Sequence, residues 1–216
     1  MRTTRLASTI GVLAAALISA AACSSGSGGQ AASDTGTSAP TTTTTTTTAM
    51  SDGVTKTGDV FGAGCASLPK DTEGSLDGMV DDPVATAASN NPLLKTLVAA
   101  VKEAGLVDTL NKADAEYTVF APYDPAFEAL GQDALNAVLA DKAKLTGILT
   151  YHVVPQRMDK DGILSSATLP TVQGGTLKVE GSGDNVTVNG AKVLCGNIPT
   201  ANATVFVIDK VMTPAA

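Results

Sequence analysis

The chain has 216 residues, a formal net charge of −7 at pH 7, no tryptophan and only 3% aromatic residues. Its basic residues are not clustered, which argues against nucleic-acid binding and against membrane binding through a basic patch. The sequence contains one histidine, His152, and no Gly-x-Ser-x-Gly elbow that could supply it with a nucleophile. We therefore expect a protein that is not an enzyme and that uses no metal, cofactor or nucleic acid.

The chain begins with the layout of a secretory signal, which we assign to residues 1–22. Arg2 and Arg5 precede an apolar run from Leu6 to Ala22 that contains no charge. The run is too short and too weakly flanked to be a good membrane span. The sequence therefore predicts an exported protein.

Cys23 stands where bacterial lipoproteins carry their lipid. Small residues precede and follow it, which resembles a lipobox, although the usual leucine three residues earlier is here Ala20. Acyl chains such as palmitate on Cys23 would anchor the protein firmly to the outer side of the cell membrane. The alternative is ordinary cleavage after Ala22, which would give a freely secreted protein.

Residues 23–59 are rich in Gly, Ser, Ala and Thr and have almost nothing to bury, so they predict a disordered stalk. Threonine clusters beside proline favour O-glycosylation, and the alternative is a bare flexible tether. The candidate glycosylated residues are Thr41, Thr42, Thr43, Thr44, Thr45, Thr46, Thr47 and Thr48. The segment would span roughly 30 Å as a coil and about 110 Å if fully extended.

Residues 60–216 are enough for one domain with its own core. Pro83 to Ser89 indicate a short helix, and Asn91 is expected to cap a longer one that starts at Pro92 and ends at Gly105. Apolar residues at helical spacing indicate further helices at Leu106–Leu110, at Leu135, Val138 and Leu139, and at Leu145, Ile148 and Leu149. His152 follows Leu145 by seven residues, so its ring is expected to point inward.

A strand, a corner and a helix follow one another within residues 117–130. Thr118–Ala121 is a β-branched and aromatic run that predicts a buried strand. Asp124 before Pro125 fits an N-cap followed by proline at the first position of a helix that runs to Leu130.

Strands are predicted from Thr168 onward, because apolar and polar residues alternate there. Asn189-Gly190 is the strongest hairpin signal, since both residues tolerate the positive φ of a type I′ turn. The pairs expected on one face are Val188 with Ala191 and Val186 with Val193. Helices first and strands later indicate an α+β domain.

Three segments resemble, in the right order, the signatures of the fasciclin domain, an extracellular adhesion-type module. They are residues 117–127, residues 149–155 with a tyrosine-histidine motif, and residues 203–214. The region from Gly64 to Pro214 resembles the small secreted and lipid-anchored fasciclin antigens of mycobacteria and their actinobacterial relatives. The resemblance implies a helical layer packed on a wedge of two small sheets, with the last strand pairing near the first.

The remaining cysteines, Cys65 and Cys195, form an even pair in an oxidising compartment, so a disulfide is predicted. It would tie the start of the domain to a late strand. A zinc site that uses both cysteines and His152 is the alternative, but it lacks a fourth ligand and closely spaced ligand pairs.

Tyr151, His152 and Asp209 have two interpretations. In the structural one, His152 bonds inside the core and Asp209 bends the end of the last strand. In the one implied by the family motif, Tyr151-His152 belongs to an adhesive surface. The Asn-x-Thr patterns at Asn185 and Asn202 are interpreted as chance matches, and Asn202 as the start of the last strand.

The resemblance implies adhesion or recognition at the cell envelope by a monomeric domain, with a host or neighbouring-cell surface protein as partner. One alternative is a carrier of a lipid or another small apolar ligand, held in a continuous buried cavity of several hundred Å³. The others are a secreted soluble protein and a structural spacer without a tight ligand.

Overall fold

The computed structural model describes residues 53–214, which lie within one compact unit. The predicted signal sequence, Cys23 and the threonine tract lie outside these residues. Eight α-helices occur in the described chain: α1 (Leu76–Met79), α2 (Val84–Asn90), α3 (Lys95–Glu103), α4 (Val107–Leu110), α5 (Asp124–Glu128), α6 (Gln132–Ala140), α7 (Lys142–Tyr151) and α8 (Lys160–Ser165). The strands are β1 (Tyr117–Pro122), β2 (Val153–Val154), β3 (Thr168–Pro170), β4 (Thr176–Ser182), β5 (Asn185–Val188), β6 (Ala191–Pro199) and β7 (Ala203–Ile208).

The seven described strands are hydrogen-bonded in the order β2-β1-β7-β6-β5-β4-β3. The last strand returns to pair with the first in parallel, which confirms that expectation, and Phe120 lies opposite Phe206. The other pairs are antiparallel. The strand β6 is the longest and shifts register twice along β7. The two small sheets of the expected wedge are therefore two arms of one continuous sheet. One arm consists of β2, β1, β7 and β6, and the other consists of β6, β5, β4 and β3, so β6 belongs to both.

Strands β1 and β7 lie in the interior because both of their faces are apolar. On one face, Val119 and Val205 contact the helical layer. On the other face, the rings of Phe120 and Phe206 pack with their centroids 5.5 Å apart in the core between the two arms. A pair of strands buried on both faces is the usual setting of parallel pairing. The fold thus has two apolar cores separated by β1 and β7.

The hairpin at Asn189-Gly190 has the predicted turn. Both residues have positive φ, 48° and 75°, and Val188 lies opposite Ala191. Val186 and Val193 are both buried in the core between the arms. The alternation of side chains in β4 and β5 follows from this register.

The start of α3 differs from its prediction, because the helix begins at Lys95 and not at Pro92. The Oδ1 atom of Asn91 accepts from the amide of Leu93, which closes a turn before the helix. Asp124 was predicted to cap its own helix, and this is wrong. Its Oδ1 accepts from the amide of Thr96 at 2.8 Å and so caps α3, whereas Tyr123 is the N-cap of α5.

Residues 53–65, which we call the strap, lie against the strands. Gly53 and Thr55 are buried, and the carbonyl of Gly53 accepts from the hydroxyl of Thr204 at 2.8 Å. Phe61 exchanges two backbone hydrogen bonds with Gly196. The predicted boundary between stalk and domain at residue 59 is therefore too late, because the domain already includes residue 53.

Gly53 provides a test of the strap. Its φ is +71°, and a Cβ there would overlap the carbonyl oxygen of Arg157. We expect Gly53→Ala to lower the free energy of unfolding by about 1–3 kcal/mol, because both the backbone conformation and the space exclude a side chain. Gly58→Ala is the control, since no atom lies within 4 Å of its Cβ position. Equal stabilities of the two variants in denaturant would contradict the packed strap.

Candidate functional site

His152 lies at the C-terminal end of α7 and is only 3% exposed. Its Nε2 accepts from the backbone amide of Met212 at 2.9 Å, and its Nδ1 lies 2.8 Å from the carbonyl oxygen of Ile148. Because Nε2 accepts, Nδ1 must carry the proton, so the ring is neutral. Burial lowers the pKa of His152 to about 4, and the bond to Ile148 opposes this effect. The ring thus joins the end of α7 to the segment after β7.

The neutral state of His152 predicts a loss of stability in acid. The unfolded chain binds a proton with an ordinary pKa of 6.5, whereas the folded chain binds one only near 4. The stabilisation is therefore complete above pH 6.5 and is lost as the pH falls towards 4, by about 3 kcal/mol in total. Unfolding by urea across this range should give a steeper pH dependence for the native chain than for His152→Gln. Identical slopes would contradict the assignment.

Tyr151 is also buried and joins α7 to β4 and to the turn between β5 and β6. Its hydroxyl donates to the carbonyl of Thr176 at 3.0 Å and accepts from Nδ2 of Asn189 at 2.7 Å. Tyr151 and His152 are thus engaged inside the domain. The adhesive interpretation would need exposed side chains, and in the folded domain this pair has none.

Asp209 lies directly after β7 and holds it against β6. Its amide donates to the carbonyl of Lys192 at 3.0 Å, and its Oδ1 accepts from the amide of Lys192 at 2.7 Å. Asp209 is half-buried. The geometry fits the bend at the strand end that the sequence suggested.

Asn202 has a structural role that the sequence analysis missed. It precedes β7 and does not begin it, and it is 3% exposed. Its Oδ1 accepts from the amide of Val84 at 2.9 Å. Its Nδ2 donates to the carbonyls of Leu110 and Lys112 at 2.7 and 2.9 Å. Because Nδ2 is buried and donates two hydrogen bonds, a glycan on this nitrogen is incompatible with the fold. No local sequence pattern marks the role of Asn202, since its partners lie about 90 residues or more away.

An apolar crevice lies between the helical layer and the sheet. Its volume is about 70 Å³. Its lining is mostly aliphatic and includes Val84, Leu97, Val101, Val119 and Val205. Sites for small ligands usually enclose about 300–1,000 Å³. The crevice is therefore too small for a lipid chain, which argues against the carrier interpretation.

The two domain cysteines are joined in a disulfide, Cys65–Cys195. Both thiols of the alternative zinc site are thereby occupied, and both nitrogens of His152 have partners. Within residues 53–214, no three His, Cys, Asp or Glu side chains form a group that could hold a metal ion. In the same part of the chain, no helix has the length and apolarity needed to cross a membrane.

Comparison with known families assigns the fold. A family model described as "Fasciclin domain" matches residues 92–214. The chain belongs to the fasciclin family. Its tyrosine-histidine motif lies at the C-terminal end of α7, beside β1, where Phe120 donates its amide to the carbonyl of His152.

Two mycobacterial proteins are similar to most of this fasciclin protein. The chain is 43% identical to the cell surface glycolipoprotein MPB83 of Mycobacterium bovis over 181 residues, which are 78% of this chain and 77% of that protein. It is 42% identical to the immunogenic protein MPT70 of Mycobacterium tuberculosis over 167 residues, or 74% and 84% of the two chains.

More distant relatives share the fold. The chain is 32% identical to the pig transforming growth factor-beta-induced protein ig-h3 over 161 residues, which are 69% of this chain and 23% of that protein. The solved domain pair of the insect cell adhesion molecule Fasciclin I superposes with a TM-score of 0.55 at 18% identity, covering 63% of this chain and 52% of that one. At this identity the match concerns the fold alone.

Proposed function

We propose that this fasciclin protein is held on the outside of the cell membrane by lipid at Cys23 and recognises a protein on a host or neighbouring cell. The observation that carries the proposal is the 43% identity, over about three quarters of both chains, to a protein named as a cell surface glycolipoprotein. The secretory layout and the position of Cys23 support the same placement. The proposed role is binding and not catalysis.

The threonine-rich segment would serve as the spacer between lipid and domain. Because the packed domain already includes Gly53, the spacer has about 30 residues after Cys23. Such a chain spans roughly 30 Å as a flexible coil and about 90 Å if it is extended. Glycans on Thr41–Thr48 would favour the extended form, since bulky substituents restrict the backbone. The glycosylated stalk would then carry the domain well away from the membrane.

Recognition would use the outer surface of the domain. Tyr151 and His152 are buried, and the crevice of about 70 Å³ is too small to enclose a ligand. We therefore assign the tyrosine-histidine motif to the support of the surface and not to contact with the partner. Because the stalk would hold the monomeric domain away from the membrane, its outer surface would be accessible to a partner.

Display and recognition can be tested separately. Cys23→Ala should move the protein from the membrane fraction to the medium while its thermal unfolding stays unchanged. The mature chain coupled to beads should bind intact cells, and beads that carry only the spacer, residues 23–52, should not. Retention of Cys23→Ala on the membrane would contradict the anchor, and equal binding by both kinds of bead would contradict recognition by the folded domain.

A further inference from the structure

Asn189 has an unusual combination of sequence and setting. It forms the one Asn-Gly pair in the sequence and lies in the exposed two-residue turn between β5 and β6. Both atoms of its side-chain amide are engaged. Its Oδ1 accepts from the amide of Lys178 at 2.8 Å, and its Nδ2 donates to the hydroxyl of Tyr151 at 2.7 Å.

Asn-Gly pairs are chemically reactive because glycine leaves the following backbone nitrogen unhindered. At Gly190, no atom lies within 4 Å of the place where a Cβ would stand. Attack of the Gly190 nitrogen on Cγ of Asn189 forms a C–N bond and closes a succinimide ring. The bond from Cγ to Nδ2 breaks, and Nδ2 leaves as ammonia with the proton that the Gly190 nitrogen gives up. Water then opens the ring to aspartate or isoaspartate.

We propose that Asn189 is a deamidation site of the mature domain and that Tyr151 gates the reaction by holding the side-chain amide in place. The two hydrogen bonds direct the amide towards β4 and Tyr151, so the side chain must leave both partners before Cγ reaches the Gly190 nitrogen. The reaction therefore proceeds from a locally opened turn, whose population depends on those bonds.

The product changes the domain in two ways. A carboxylate at position 189 has no hydrogen to donate to Tyr151, so the tyrosine hydroxyl can no longer satisfy both that side chain and the carbonyl of Thr176. The reaction also adds a negative charge to a surface recess that is lined by Lys178, Lys210 and Glu180. An isoaspartate would in addition lengthen the backbone of the two-residue turn, on which the register of β5 and β6 depends.

The test compares deamidation at Asn189 in folded and denatured protein at mildly alkaline pH, by peptide mass spectrometry of the full mature chain. We expect the denatured chain to react at least about 10-fold faster than the folded chain, because folding supplies both hydrogen bonds. Tyr151→Phe should raise the rate in the folded protein by about 3- to 10-fold, the effect of losing one ordinary hydrogen bond. The same variant should leave the rate in the denatured chain unchanged.

Ile163→Val is the matched control, because Ile163 is buried in the same core as Tyr151 but does not contact the turn through a hydrogen bond. Its folded-state rate should equal that of the native chain, although its stability is lower. Equal rates in folded and denatured native protein would overturn the proposal. So would a Tyr151→Phe variant that reacts no faster than native, or an Ile163→Val variant accelerated as much as Tyr151→Phe.

Discussion

Reducing the Cys65–Cys195 disulfide is expected to lower the free energy of unfolding by about 4–5 kcal/mol. The two cysteines are 130 residues apart in sequence, so the bond removes much of the conformational freedom of the unfolded chain. The reduced strap would then be held by noncovalent contacts, which include the backbone bonds between Phe61 and Gly196, the packing of Phe61 on Phe206 and the contacts near Gly53. Urea unfolding with and without a reductant measures the difference.

The double variant Cys65→Ser and Cys195→Ser is the control for this measurement. It should match the reduced native chain within about 1 kcal/mol and should not respond to the reductant. A reduced chain that is less than about 1 kcal/mol weaker than the oxidised one would show that the strap is fastened without the disulfide.

Asn202→Ala is expected to lower the free energy of unfolding by about 3–5 kcal/mol. The alanine leaves one buried amide, of Val84, and two carbonyls, of Leu110 and Lys112, without their partner. Each buried polar group left unsatisfied costs about 1–3 kcal/mol, and water reaching the cavity recovers part of the sum. Because Asn202 links α2, the end of α4 and the start of β7, its loss should also speed amide hydrogen exchange in α2.

Asn185→Ala is the matched comparison, because Asn185 occupies the other Asn-x-Thr pattern but is exposed. Its stability should stay within about 0.5 kcal/mol of native. Comparable losses in the two variants would refute the special role assigned to Asn202.

The sequence was sufficient to predict the helices, strands and turns that are stabilised by their own residues. The run Thr118–Ala121 predicted β1 because β-branched and aromatic residues pack well on a pleated surface, and the strand is there. Asn189-Gly190 predicted both the turn and the register, since the positive φ of the turn restricts the residues that can form it. The helices predicted from apolar spacing occur as α2, α4, α6 and α7, with ends displaced by a few residues.

Long-range contacts account for what the sequence did not reveal. Asp124 looked like the cap of its own helix, but its carboxylate caps α3, 28 residues earlier. The bond from the amide of Val84 to Asn202 spans 118 residues, and nothing near either residue indicates it. The composition of residues 53–59 is polar and small and so indicates stalk, yet Thr204 provides a partner for the backbone of Gly53. The composition of a segment indicates how much apolar surface it can bury by itself. It does not show which hydrogen-bond partners a distant strand provides.

The strand pairs could be predicted only in part from the residues themselves, for the same reason. The parallel pair β1 and β7 was implied by the family resemblance and not by periodicity, because residues 117 and 203 meet only in the folded chain. The size of the crevice was equally unpredictable. The sequence supplies abundant aliphatic residues, but the space left among them depends on how the helices pack.

Lipid at Cys23 is proposed to display this fasciclin domain on the cell surface. The most direct test is the intact mass of the protein purified from its own membrane fraction, measured before and after reduction. Surface display predicts a chain that begins at Cys23, with added acyl groups, hexose on the threonine tract and a mass increase of two hydrogen atoms on reduction. A bare chain recovered from the medium would contradict surface display and leave a diffusible fasciclin protein.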